Sequence, residues 1–287
     1  MSEEVIEVRD LSISYGNFVA VKGFSFNLKK GEILGLFGSH SSGKTSVLRA
    51  IMGLVDYEGE VTCSASIISY MPQRVSLYAN LTVEENLRFF ALINRVEDKI
   101  RDERVRELLN SLDLENLKTS LVKRLGYGIK RRLMFAASII HDPEVLVLDE
   151  PLSNLDSPTR ERIWEIIERL KEMGRGILLA TSNIEDAERC GRVVLIKDGV
   201  KIAEIEPERV KEERILLKPF KFEKAMAALD EFGFRYIVSE DGIEVFVDNA
   251  SIAIPDLLEM MRRRGIEVER TDIRRLGLEE VVSEILG

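Results

Sequence analysis

The residues from Gly38 to Thr45, GSHSSGKT, have the types and spacing needed to hold a phosphate, and fit the pattern G-x-x-x-x-G-K-[ST]. Gly38 and Gly43 allow a tight loop whose backbone N–H groups approach an anion closely, where a Cβ would stand in the way. Lys44 supplies a point charge to the β- and γ-phosphates, and Thr45 offers a hydroxyl to Mg²⁺. Ser39, His40, Ser41 and Ser42 fill the loop and Ser46 follows it, so residues 38–46 are candidate nucleotide contacts. A second chemical signal is Glu144-Val-Leu-Val-Leu-Asp-Glu-Pro151, an apolar run ending in two carboxylates. Asp149 could hold Mg²⁺ through water while Glu150 polarises an attacking water. The bland alternative is that both only cap the next turn, and the phosphate loop in the same chain favours the catalytic one. Tyr15, beside Gly16, offers a π-face for stacking on a base, although hairpin packing would also suit it.

The flanking pattern supplies elements able to position these groups. Glu32-Ile-Leu-Gly-Leu-Phe37 reads as a buried strand, and Ser46-Val-Leu-Arg-Ala-Ile-Met-Gly53 as a helix ending at glycine. Strand, glycine loop and helix N-terminus together form an anion site. The run before Asp149 suits a strand buried on both faces of a parallel sheet, which places the carboxylates at its carboxyl end, where ligands bind in open α/β sheets.

Ahead of the loop, residues 5–37 alternate polar and apolar side chains and predict antiparallel strands. Glu58–Thr62 and Ile67–Tyr70 read as further strands, broken at Met71-Pro72-Gln73. Residues 82–120 carry charged helical periodicity and predict an inserted helical subdomain, about 74–140 in all. Gly126 and Gly128 are expected to break the helix pattern, which resumes over Lys130–Ile140. Next come a helix over Arg160–Glu172, a strand over Gly176–Thr181, a short helix over Glu185–Arg189 and a hairpin around Asp198-Gly199. The charge run Glu206–Arg214 reads as a linker or solvated helix. The remaining pattern, strand, helix, strand, strand, helix, strand, helix, is a split βαβ arrangement and predicts a separate small α+β domain over 213–287.

The chain has 287 residues, 45% hydrophobic, which is enough for one large domain and one small one. Its net charge of −9 opposes sequence-independent binding of nucleic acid. Cys63 and Cys190 lie far apart without metal-ligand partners, so a reduced cytoplasmic setting is expected. No run approaches the roughly 18 apolar residues that span a bilayer, and MSEEVIEV is not expected to be a signal peptide. No direct membrane insertion is therefore expected.

Over residues 4–212 the motifs, in order and spacing, resemble those of an ATP-binding cassette (ABC) ATPase, the nucleotide-binding subunit of an ABC transporter. The resemblance implies a P-loop NTPase cassette of α/β class: a mixed sheet core, an antiparallel β subdomain and the helical insert, spanning 1–212. Tyr15 matches the adenine-stacking aromatic. Gln73 matches the glutamine that contacts Mg²⁺ and the attacking water and faces the membrane partner. Residues 125–133, LGYGIKRRL, match the signature segment, so Gly126, Tyr127, Gly128 and Ile129 are implied to act on the partner's ATP. Ser153-Asn-Leu-Asp156 matches the D-loop, with Asp156 in the same role. The implied cofactors are ATP and Mg²⁺, the latter held by Thr45, Gln73 and Asp149. The implied partners are a second ABC ATPase subunit and a transmembrane permease, which would hold the chain on the inner face of the membrane. The closing Gly277-Leu-Glu-Glu-Val-Val282 is similar to the end of subunits serving separately encoded exporter permeases.

Two features depart from the family pattern: the signature segment, where Tyr127 also replaces a glycine and Ile129 stands where glutamine or methionine is common, and the switch position. The signature serine is Gly126, and the switch histidine is replaced in Thr181-Ser182-Asn183 by Ser182, which can donate a hydrogen bond but cannot serve as an imidazole. The only histidines are His40, inside the loop, and His141, which reads as structural. Three functions are therefore open: an attenuated transport ATPase with Glu150 as base, a low-activity regulatory subunit beside a complete partner, and a non-transport ABC protein. The last is disfavoured by the single cassette and acidic balance.

Overall fold

The computed structural model describes residues 3–210, 212–239, 241–247 and 249–286, which form two units meeting in sequence between Ile205 and Glu206. In the first unit, β1 (Glu4–Tyr15) and β2 (Phe18–Lys29) form a hairpin, with β4 (Glu58–Cys63) on the other side of β1. All pairings in this sheet are antiparallel. A second sheet, of six strands, holds the centre of the unit. Its order is β5 (Ile68–Met71), β6 (Val145–Asp149), β7 (Gly176–Thr181), β3 (Ile33–Phe37), β8 (Arg192–Lys197) and β9 (Val200–Ile205). Every neighbour is parallel except the β8–β9 hairpin. β6 and β7 are buried along their whole length, as expected of central parallel strands.

Helix α1 (Lys44–Ile51) packs between the two sheets, with Val47, Leu48, Ala50 and Ile51 in one core with Leu11, Val21, Leu36 and Val147. It starts at Lys44, ahead of the expected Ser46, because Gly43 at φ 108 turns the loop into the helix. The charged segment forms α2 (Val83–Ile93) and α3 (Asp98–Ser111). α2 opens with a capping box between Thr82 and Glu85. Helix α4 (Tyr127–Ile139) corrects one sequence expectation: Gly128 lies within its first turn, and only Gly126 stands outside, as its N-cap. α5 (Ser157–Glu172) and α6 (Ile184–Glu188) complete the unit.

The second unit begins with a further correction. The run Glu206–Arg214 is no solvated helix: Pro207–Arg209 make one 3-10 turn, and β10 covers Glu212–Pro219, while Lys211 is outside the described residues. By its contacts the second unit runs from Glu206. Its other elements are α7 (Phe222–Glu231), β11 (Tyr236–Ser239), β12 (Gly242–Val247), α8 (Ala250–Arg263), β13 (Val268–Leu276) and α9 (Leu278–Leu286). The sheet runs β11-β12-β10-β13, with Ile215, Leu217, Leu229, Val245 and Leu257 in its core.

The β8–β9 turn braces the phosphate loop. Gly199 donates its N–H to the Ser42 carbonyl at 2.9 Å, and its own carbonyl accepts from the Lys22 N–H at 2.9 Å. Its φ of +78 suits glycine, and a Cβ there would lie 2.4 Å from the Ala20 carbonyl oxygen. Gly199→Ala is expected to lower unfolding free energy by more than about 1 kcal/mol in denaturant melts.

Candidate functional site

The loop after β3 and the ends of β5 and β6 enclose a cleft of about 490 Å³. Tyr15, Phe18, His40, Ser41, Lys44, Thr45, Ser46, Gln73 and Glu150 line it. Sequence placed those residues in four distant stretches; the six-stranded sheet brings together the loop after β3, Gln73 after β5 and Glu150 after β6, and the β1–β2 hairpin adds Tyr15 and Phe18. Gly38 and Ser42 lie buried beneath the loop, and the Ser42 hydroxyl has no hydrogen-bond partner. Ser39 and His40 are exposed, and Ser41 is held at φ +65, a conformation uncommon outside glycine. The loop hydrogen bonds to its own lysine. Lys44 Nζ donates to the carbonyls of Gly38 at 2.7 Å and Ser39 at 2.9 Å.

Lys44 Nζ also stands 3.5 Å from Glu150 Oε1, with both side chains buried. Burial pulls the ammonium below its ordinary value, and the Glu150 charge opposes that. Glu150 sits just past β6 at φ +48, and Oε1 accepts no hydrogen bond. Asp149 is fully buried. Its Oδ1 accepts from the Thr45 hydroxyl at 3.2 Å and its Oδ2 from the Tyr70 phenol at 3.4 Å. Burial pushes its carboxyl above the usual range, against the hydrogen bonds from Thr45 and Tyr70. The Tyr70 phenol is pushed up to about 12, first by burial and then by Asp149. A strained backbone and buried, partly unpartnered charges in one cleft mark a functional site. The donors at hand, the Thr45 hydroxyl, the Asp149 carboxylate and the exposed Gln73 amide, are the hard oxygens that suit Mg²⁺.

Other sequence candidates lie outside this cleft. Gly126 and Tyr127 are exposed at the start of α4, with Gly128 and Ile129 half-buried behind them. No side chain caps that helix. Asp156 is exposed and caps α5, its Oδ1 accepting from the Thr159 N–H at 2.9 Å. Ser182 is half-buried after β7. Tyr15 is 43% exposed, and its phenol donates to Ser46 Oγ at 3.3 Å, so its ring stands at the mouth of the loop. His141 stands apart on the segment after α4, and burial lowers its pKa.

Sequence reasoning missed Phe18, Tyr70 and Arg131. Arg131 is fully buried on α4. Its register was the available signal: it falls in the buried stripe with Met134, Phe135 and Ser138, where a charge has to serve a purpose.

Comparison with known proteins gives consistent relatives. The family model described as "ABC transporter" matches residues 21–153. A Nod factor export ATP-binding protein I from Burkholderia orbicola is 36% identical over 228 residues, 75% of each chain. The probable multidrug ABC transporter ATP-binding protein YbhF of Escherichia coli is 33% identical over 221 residues, which are 73% of this chain and 38% of that protein. The chain thus spans well under half the length of that relative. Among solved structures, the ATP-binding subunit of an ABC transporter gives a TM-score of 0.68 at 26% identity, covering 72% of this chain and 91% of that one. The ATP-binding cassette MJ0796, a dimer in a post-hydrolysis state with ADP and Pi, gives 0.65 at 25% identity, covering 70% and 98%.

Asp149 is fully buried, and ionising its carboxyl there carries a desolvation penalty. Asp149→Asn is expected to raise the melting temperature of the nucleotide-free protein, measured by scanning calorimetry with a chelator present.

Proposed function

The chain belongs to the family of ABC transporter ATP-binding subunits, and from that premise we propose that it closes with a second ATPase subunit around ATP to drive a membrane permease. The family binds and hydrolyses ATP, and the fold matches its cassettes. The observation that carries the reading is one cleft lined by Lys44, Thr45, Gln73 and Glu150, with Asp149 bonded to Thr45 behind it and Glu150 Oε1 paired with Lys44 but accepting no hydrogen bond.

In this mechanism the loop amides and Lys44 take the β- and γ-phosphates, and Tyr15 stacks on the base. Asp149 and Thr45 with Gln73 would hold Mg²⁺, which neutralises charge on the transferring phosphoryl group. Glu150, aimed by its left-handed backbone, accepts a hydrogen bond from the attacking water. The partner's segment Gly126–Ile129, with the free N–H groups of the α4 N-terminus, closes over the same phosphate, and Asp156 belongs to that face. Opening after hydrolysis would pass through Gln73 and the helices α2 to α4 to the permease. Relatives named for multidrug transport and Nod factor export support an exporter. Among the described residues no helix is long and apolar enough to cross a membrane, so membrane attachment would come from the permease, on its cytoplasmic face.

A second reading has a specific basis. Gly126 lacks the hydroxyl that would meet the partner's phosphate, and Ser182 lacks an imidazole. A lost hydrogen bond to a charged group costs roughly 1.5–3 kcal/mol. Such a subunit would close on ATP with low turnover beside a complete partner.

Steady-state hydrolysis of Mg²⁺-ATP by the purified chain, with Glu150→Gln in parallel, separates the two. Turnover on the order of 0.1–10 s⁻¹ that falls at least about 100-fold in the variant is expected of a working engine. ATP binding with no turnover above the variant would favour the regulatory subunit, and turnover unchanged by Glu150→Gln would remove Glu150 from the mechanism. Ser182→His is expected to raise turnover by about 10-fold or more over the parent, if the missing imidazole is what limits the rate.

A further inference from the structure

Arg131 lies on α4, on the helix that begins at the Gly126–Ile129 segment, and none of its surface is exposed. Burying a guanidinium is unfavourable unless its donors are satisfied. Here Nη1 and Nη2 donate to main-chain carbonyls of two separate segments, while Nε has no partner. Nη1 donates to Pro72 O at 3.1 Å and Gln73 O at 2.8 Å. Nη2 donates to Asp149 O at 3.4 Å and Glu150 O at 2.5 Å. One planar fork thus spans the break after β5 and the end of β6. Those two segments carry the exposed Gln73 amide and the buried Glu150 carboxylate that face one cleft.

The backbone of Glu150 needs such support. At φ +48 it is strained for a residue with a side chain. Its N–H donates to Ala180 O at 2.9 Å, and its carbonyl accepts from Arg131 and from Ser153 Oγ at 3.1 Å. Removing the charged donor leaves the carbonyl with a weaker partner and lets the residue relax, which would swing Oε1 away from Lys44. Gln73 follows a proline, which has no N–H of its own to anchor the turn, so the Arg131 bonds to both carbonyls constrain where the amide lies.

We propose that Arg131 is a positioning residue for hydrolysis: its fork sets the separation of Gln73 and Glu150 and ties both to α4. It does not line the cleft. The groups that close on the partner's phosphate and the groups that prepare water at this chain's own phosphate are then joined through one side chain. A lysine cannot replace it, because an ammonium is a point donor and cannot hold two segments in one plane. This inference rests on the reading of Glu150 as the group that polarises water.

The test measures kcat, KM for ATP and melting temperature for the parent, Arg131→Lys, Arg131→Ala and Glu150→Gln. Assays are run well below each variant's melting temperature. Expected for Arg131→Lys is a kcat lower by about 10–100-fold, the loss typical of misplaced catalytic groups, with KM changed less than about 3-fold. Expected for Arg131→Ala is a similar or greater loss, partly restored by millimolar guanidinium ion but not by methylammonium, because only the former supplies a planar fork. A purely structural role would lower melting temperature and active fraction without selective rescue. The proposal is overturned if Arg131→Lys turns over within about twofold of the parent, or if guanidinium restores Arg131→Ala no better than methylammonium. Glu150→Gln decides the underlying reading separately: parent-like turnover there sinks that reading, whatever the Arg131 variants do.

Discussion

The structure depends on charge held at the carboxyl edge of an apolar parallel sheet. Lys44, Asp149, Glu150 and Arg131 are all buried, at the point where β3 and β6 leave the sheet. Water would solvate these groups far better than a protein interior does. They persist because each finds oxygen or nitrogen partners fixed by the surrounding fold: loop carbonyls for Lys44, hydroxyls for Asp149, four carbonyls for Arg131. The pairing is incomplete, and Arg131 Nε has no hydrogen-bond partner. Glu150 Oε1 and the Ser42 hydroxyl are left without hydrogen bonds, both beside the phosphate loop. A folded protein tolerates such groups where a ligand is to supply what is missing.

The same arrangement explains where strain is stored. Ser41 and Glu150, which both line the cleft, hold left-handed backbone conformations. The first is braced from outside by the β8–β9 turn through Gly199 and Ser42, the second by Ala180 on β7 and Arg131 on α4. Neither support is local in sequence. The hairpin contacts the loop because β8 lies next to β3 in the sheet, and α4 reaches the end of β6 because the helical segment returns to the sheet at β6. Site geometry is therefore a property of the whole unit.

The departure at Gly126 falls on the exposed start of α4, outside the cleft, where a second subunit is proposed to act, and Ser182 is half-buried after β7, while the loop and both carboxylates are intact. That division makes sense physically. Groups that must be preorganised within one chain are fixed by burial, whereas groups presented to a partner rest on exposed backbone, where an N–H can stand in part for a hydroxyl.

Sequence by itself determined the phosphate loop, the carboxylate pair and most elements, because each is local. Glycine spacing dictates the loop, an unbroken apolar run dictates β6, and the order of elements in 215–286 already spells strand, helix, strand, strand, helix, strand, helix. Of the linker and solvated helix it left open for Glu206–Arg214, the helix does not form, since charge concealed a strand edge at Glu212, and it misjudged Gly128, where a helix N-terminus tolerates glycine. Only the tertiary structure decided that Tyr15, Lys44, Gln73 and Glu150 share one cleft, that Asp149 is wedged between Thr45 and Tyr70, and that Arg131 spans two segments. Those facts depend on strand order and on which face of a helix meets the sheet. The energies that set them come from desolvation and hydrogen bonding between residues about 50 to 100 positions apart, such as the 58 between Gln73 and Arg131 and the 104 between Thr45 and Asp149, which no local pattern records.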